Sequence, residues 1–234
     1  MKAANELLEG LASEEKSWDV RAKKLELDAA TILGDTILSA GIIAYLGALP
    51  KDFREELVAS WNKMIKDANI EIDQEFALKK VCSDDLTIGN WVDKFSLPND
   101  SISIDNAIIM EKSGRYPLII DPQEQAFRYI KKLYAKKNID PKSATEDPGR
   151  LSMYITEAIQ GGYPVLIGDV GETIGTMLES ILDKDIASVG GITKIRFMDK
   201  LVNYNPDFKI FLTTKLSNPH YPPETCAKVT LLNF

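Results

Sequence analysis

Arg115–Ala126, RYPLIIDPQEQA, decides how this chain folds. A charged, aromatic and proline-marked approach enters the apolar run Leu118–Ile120, which stops at Asp121-Pro122. A helical pattern then starts at once, with Gln123, Gln125, Ala126, Tyr129, Ile130, Leu133 and Tyr134 spaced for an amphipathic helix over 123–136. Strand, tight turn and helix in that order form the unit that binds ligands at the C-terminal edge of a parallel sheet.

A phosphate-binding turn of the form G-x-x-x-x-G-K-[ST] uses backbone N–H groups and a lysine to hold phosphates. Laid on that template, Asp121 replaces the first glycine and Ala126 the second. Phe127 replaces the lysine and Arg128 the Ser/Thr, with Gln123 and Gln125 in the turn between. The strand–turn–helix frame is present and the phosphate chemistry is missing.

Two more buried strands follow, Tyr163–Ile167 (YPVLI) and Lys209–Leu212 (KIFL), then a final one, Lys228–Phe234. Helices are predicted at 151–159 and 173–182, and a hairpin at 192–204 around Asp199-Lys200. Asn138–Arg150 reads as a surface loop, as does Ser217–Glu224, with three prolines in eight residues. Strands alternating with helices predict an α/β fold with a parallel sheet flanked by helices. Its ligand edge would gather Ile120-Asp121, Ile167-Asp169 and Leu212-Thr214. At that edge Asp169 suits a metal-binding carboxylate, but Val170 stands where a water-orienting Glu belongs and Glu172 lies two residues on. Thr213, Thr214 or Asn218 suit a polar sensor.

The first 70 residues are helical in pattern. Over 3–33, Leu11, Trp18, Leu25 and Ile32 recur every seven residues, with Leu7, Leu8, Ala22 and Ala29 beside them. That repeat fits a coiled-coil seam, or an amphipathic helix packed on its own domain. Gly34-Asp35 is expected to interrupt or kink the helix, and Ile37–Leu46 (ILSAGIIAYL) to be buried nearly all round, with Gly47 as C-cap. Residues 51–68 form a helix with Phe53, Leu57, Trp61, Met64 and Ile65 on its apolar face. Asp84 and Asp100 (or Ser101) are candidate N-caps.

At 234 residues the chain can bury one sizeable core, and 44% apolar with 27% charged residues is an ordinary globular balance. A net charge of −7 argues against sequence-independent nucleic-acid binding. No apolar run is seen to approach about 18 residues, so no membrane span is expected. The N-terminus has no apolar signal core. Cys82 and Cys226 lack metal-ligand spacing and read as reduced intracellular thiols. The lone His220 has no second histidine or nearby cysteine to build a metal site with. No G-x-S-x-G turn is present.

The stretches GDTILSAGIIAYLGALPKDFR (34–54), LPNDSISIDNAII (97–109), RYPLIIDPQEQA (115–126), AIQGGYPVLIGDVGE (158–172) and NPDFKIFLTTKLSNPHYPPETCAKVTLLNF (205–234) together resemble the fifth AAA+ module of dynein heavy chains. The wording TTKLSNPHYPPE is closer to the axonemal than the cytoplasmic type. The resemblance implies that 1–33 is the base of the returning stalk coiled-coil helix. Residues 34–234 would then be a degenerate AAA+ large α/β subdomain, its small helical subdomain absent. It implies a non-catalytic ring module coupling ATP-driven changes to the stalk, with no cofactor of its own and ATP and Mg²⁺ bound in other modules. The alternative is a regulatory ADP- or ATP-binding module without hydrolysis. Implied partners are modules four and six, the other half of the stalk coiled coil, and microtubules through the stalk. Nucleic acid and membrane are not implied. The implied location is the cytoplasmic cytoskeleton of a cilium or flagellum. Lys228 matches the position that faces the neighbouring module's nucleotide; a solvated lysine at a strand start is the plainer reading. Without its partner, the heptad helix predicts self-association of the chain.

Overall fold

The computed structural model describes residues 2–137 and 139–234, with side chains from Glu14 onward. Leu11, Leu7 and Leu8 of the heptad pattern therefore lie outside the described side chains.

Five strands form one parallel sheet: β1 (Tyr116–Ile120), β2 (Lys142–Ser143), β3 (Pro164–Gly168), β7 (Lys209–Thr214) and β8 (Val229–Asn233). Their order is β2-β3-β7-β1-β8. β1 pairs in parallel with β7 (Leu118 opposite Leu212) and with β8 (Leu118 opposite Leu231). Because helices cover both faces, the strands are continuous apolar runs rather than alternating ones. Successive residues serve opposite cores. Ile119, Leu166, Phe211 and Leu232 face one, and Leu118, Val165, Ile167, Ile210 and Leu212 the other.

The first core is covered by the N-terminal helices α1 (Lys2–Gly41), α2 (Lys51–Asp67), α3 (Leu78–Cys82), α4 (Asp85–Asp93) and α5 (Ser101–Lys112), together with α6 (Gln125–Leu133). Asp84 and Asp100 cap α4 and α5 through the N–H groups of Thr87 and Ser103, as their patterns predict. Trp91 of α4 is buried in this core. The second core is covered by α7 (Pro148–Gly161) and α8 (Thr176–Leu182). A small antiparallel sheet, β4 (Ile186–Val189), β5 (Ile192–Phe197) and β6 (Lys200–Asn203), completes that side. A short α9 (Pro223–Lys228) leads into β8.

Several expectations are corrected. α1 runs unbroken through Gly34-Asp35. Asp35 breaks nothing because both oxygens are used: Thr31 Oγ1 donates to one (2.7 Å) and the Asp73 N–H to the other (3.0 Å). Gly34 is there for close approach, since a Cβ would sit 2.2 Å from the Glu71 carbonyl oxygen. Ile37–Leu46 is buried on one face only. Leu38, Ile42 and Leu46 are in the core while Ile37 and Tyr45 are exposed, and residues 42–46 form a π-turn. Gly47 has φ −55°, so it is no left-handed cap. Its missing side chain instead admits the Leu231 carbonyl, which a Cβ would meet at 2.5 Å. Phe53 and Met64 of α2 are exposed. The predicted loop 138–150 contains β2, and the predicted hairpin gains β4 and turns at Met198-Asp199.

The reading that no apolar run approaches about 18 residues is also corrected. Within Glu14–Leu46 lies a window of mean hydropathy 1.6, long and apolar enough to cross a membrane by length and composition. A third of that window is buried in the protein itself. Within that stretch Leu38, Ile42 and Leu46 are buried in the first core. Trp18, Leu25 and Ile32 form a separate, exposed stripe.

Asp105, on α5, has its carboxyl pushed up to about 6 by burial, against the opposing charges of Arg54 and Lys79. A carboxyl with a raised folded-state pKa favours the folded protein when protonated. That contribution is full below the ordinary carboxylate range and fades as pH rises towards 6. Asp105→Asn removes the dependence. Denaturation midpoints at pH 4 and pH 7 should show the variant gaining about 2 kcal/mol on the wild type across that interval. Parallel pH curves would show that Asp105 does not titrate this way.

Candidate functional site

The C-terminal ends of β1, β7 and β3 lie side by side, as the topology requires of neighbouring parallel strands. Between them is a cleft of about 210 Å³ lined by Asp121, Glu124, Phe127, Ser143, Asp169, Thr213 and Lys215, among others.

Asp121 dominates it. Its side chain turns back onto the first turn of α6. The Gln125 N–H donates to Oδ1 at 2.7 Å and the Phe127 N–H to Oδ2 at 2.8 Å. A helix start leaves such amides without intrahelical partners, and the helix dipole favours an anion beside them. Asp121 is 2% exposed. Burial pushes its carboxyl above the ordinary range, opposed by the Phe127 and Gln125 amides and the charge of Arg128. The backbone of the turn is itself tight, with Glu124 at φ 56° in the left-handed region.

Around this cap runs a charged lattice. Lys215 Nζ lies 3.0 Å from Glu124 and 3.3 Å from Asp169. The Ser143 hydroxyl donates to Asp169 Oδ2 at 3.1 Å. Asp169 is also left-handed, with φ 56°. Phe127 packs partly buried against the first core and lies over Gly168, where a Cβ would stand 3.5 Å from its ring.

Of the residues singled out from sequence, Asp121, Phe127, Asp169 and Thr213 come together at the cleft. Ala126 is fully buried in the core below the turn. Gln125 contributes its amide, while its side chain donates to Gln123, which is exposed, as is Arg128. Val170 is buried in the second core, and its N–H donates to the Thr213 carbonyl. Glu172 turns away and accepts the His220 N–H (3.0 Å), tying down the proline-rich loop. Thr214 is buried and accepts the Leu216 N–H. Asn218 is exposed and does not line the cleft. Lys228 ends α9 and pairs with Asp183 at 2.6 Å, which raises its pKa.

Glu124, Lys142, Ser143, Glu146 and Lys215 also line the cleft and were not anticipated. Lys142 and Ser143 arrive on β2, too short to show periodicity. Lys215 follows Thr213-Thr214 directly and could have been found by reading one residue past the strand. Among the described residues no group of three or more His, Cys, Asp or Glu is placed to hold a metal ion.

Residues 89–234 match the family model described as the ATP-binding dynein motor region, and residues 1–65 match the microtubule-binding stalk of the dynein motor. The chain belongs to the dynein heavy-chain family. It is 35% identical over 235 residues to dynein axonemal heavy chain 2 of Mus musculus, covering 100% of this chain and 5% of that protein. It is 38% identical over 231 residues to dynein axonemal heavy chain 3 of Homo sapiens, with 99% and 6% covered. With the dynein-1-beta heavy chain, flagellar inner arm I1 complex, of Chlamydomonas reinhardtii it shares 34% over 235 residues, with 100% and 5% covered. The chain thus spans about a twentieth of the length of these relatives and groups with axonemal and flagellar dyneins of the cytoskeleton. A stalk match leading into a motor-region match fits a fifth dynein module preceded by the end of the stalk.

Replacing Asp121 with Ala strips both amides of their acceptor. The expected outcome is a loss of about 1 kcal/mol, the usual effect of deleting an N-cap, read from the urea midpoint. An unchanged midpoint would show that the cap contributes nothing.

Proposed function

We propose that this chain is a non-catalytic, mechanical module of a dynein motor ring, standing between the ring and the stalk. One observation carries the reading: the chain's own Asp121 carboxylate takes the two amides that a phosphate would need. A nucleotide brings negative charge to such a turn and would meet a buried carboxylate there. Phe127 supplies no charge at the lysine position, and Val170 is committed to the core. The donor set therefore does not fit ATP and Mg²⁺, and hydrolysis is assigned to other modules of the full motor.

The division at 33/34 follows the change in burial along α1. Residues 14–30 are exposed, and burial begins in earnest at Gly34-Asp35. The exposed stripe Trp18, Leu25 and Ile32 suits the other half of the stalk coiled coil. On this reading modules four and six flank the chain, microtubules are reached only through the stalk, and the motor works in a cilium or flagellum. A regulatory module that binds ADP or ATP without hydrolysis is the second reading, favoured by the remaining cleft. At about 210 Å³ that cleft is smaller than ordinary ligand pockets, which start near 300 Å³.

Calorimetric titration of the chain with ADP and ATP, Mg²⁺ present, separates the two. The mechanical reading expects no heat at millimolar nucleotide. Micromolar binding would establish the regulatory one.

Lys228 is proposed to place its charge towards the fourth module's nucleotide, with Asp183 orienting it. A lysine there gives a point charge and not the bidentate fork of arginine. In a complete motor, Lys228→Ala should weaken nucleotide affinity or turnover at the fourth module. If both stay at the wild-type level, the lysine is only a surface ion pair.

A further inference from the structure

Arg54 is the most buried cation among the described residues, at 5% exposed, and it joins the segment just before its own helix to Asn106, 52 residues away. Its Nε donates to the Leu49 carbonyl at 2.7 Å. Its Nη2 donates to the Gly47 carbonyl at 2.7 Å and to Asn106 Oδ1 at 2.8 Å. Asn106, fully buried on α5, passes the contact on: its Nδ2 donates to the Asn233 carbonyl at 2.7 Å. The Asn233 N–H returns to the Gly47 carbonyl at 2.9 Å, so Arg54 and the end of β8 share one acceptor. One residue on, the Phe234 N–H donates to the Ile120 carbonyl at 3.0 Å, immediately before Asp121.

Burying a guanidinium is not the most stabilising choice at a packed site. Apolar replacements of similar volume do as well or better. Here Nη1 is buried without a hydrogen-bond partner, so the site is not optimised for the charge. What arginine alone supplies is a rigid planar fork that fixes several acceptors in one plane. The acceptors it fixes belong to the segment where the α1 π-turn ends and to α5, and through Asn106 to the last strand.

We infer that Arg54 is a positioning residue, a latch that makes the end of the stalk-base helix and the Asp121 turn move as one body. The path is short and made of hydrogen bonds: Gly47, Arg54, Asn106, Asn233, Phe234, Ile120. It deepens the mechanical reading and takes its purpose from it. The latch itself needs neither nucleotide nor microtubule to be observed.

Amide-resolved hydrogen exchange on this chain tests it. Arg54→Lys keeps the charge and removes the fork. Exchange at Asn233 and Phe234, and at Gln125 and Phe127 in the turn, should speed up about tenfold or more, as expected when hydrogen bonds to a charged group are lost. Amides pairing β3 with β7 should keep their protection. Asn106→Asp is the second variant. It preserves an acceptor for Arg54 and deletes the donor to Asn233, and it should loosen the same four amides. Acceleration confined to residues 47–54, or spread evenly over the chain, overturns the latch. Nucleotide binding in the titration above would overturn the functional reading and leave the exchange result standing.

Discussion

The pairing of β1 with β7 on one side and β8 on the other is the constraint on which the remaining architecture rests. A parallel neighbour cannot be reached by a hairpin, so every return to β1 must cross a face of the sheet. The chain therefore leaves β1 through α6 on one face and comes back to β7 only after α7 and α8 have covered the other. β8 arrives last, and the register that sets Ile120 opposite Asn233 draws the chain's C-terminal residues to the site. The N-terminal helices could not complete their core without that final strand.

Within this frame the turn after β1 carries its own acceptor for the amides that open α6. A carboxylate on a short side chain reaches the amides of the following helix from four and six residues away, and one lysine bridges two carboxylates beside it. Residues 89–234 match the ATP-binding dynein motor region, and the turn after β1 in this chain has its two helix-start amides taken by Asp121.

How much of this was legible depended on what each residue had to do. The strands of the central sheet were readable because both faces are buried, which leaves an uninterrupted apolar run. Asp121 and Phe127 stood out in the sequence because they occupy the first Gly and the Lys positions of a phosphate-binding turn. β2 escaped because it has two residues, and β4 because its four residues, IASV, are too few to show alternation. Gly34-Asp35 looked like a break because propensity is local, while Asp35 is satisfied by a hydroxyl one turn back and an amide 38 residues away. Phe53 and Met64 matched the helical period yet stayed exposed, since periodicity shows a face without showing whether that face is covered. Lys215 and Glu124 were invisible as a pair because only the folded turn brings them together.

The two left-handed residues at the cleft share a keeper. Glu124 and Asp169 each hold a backbone conformation that costs a non-glycine residue about 1 kcal/mol, and both carboxylates end on the same ammonium of Lys215. The turns after β1 and β3 are thus strapped together by a side chain that belongs to neither. One lysine at the end of β7 joins the turns that follow β1 and β3.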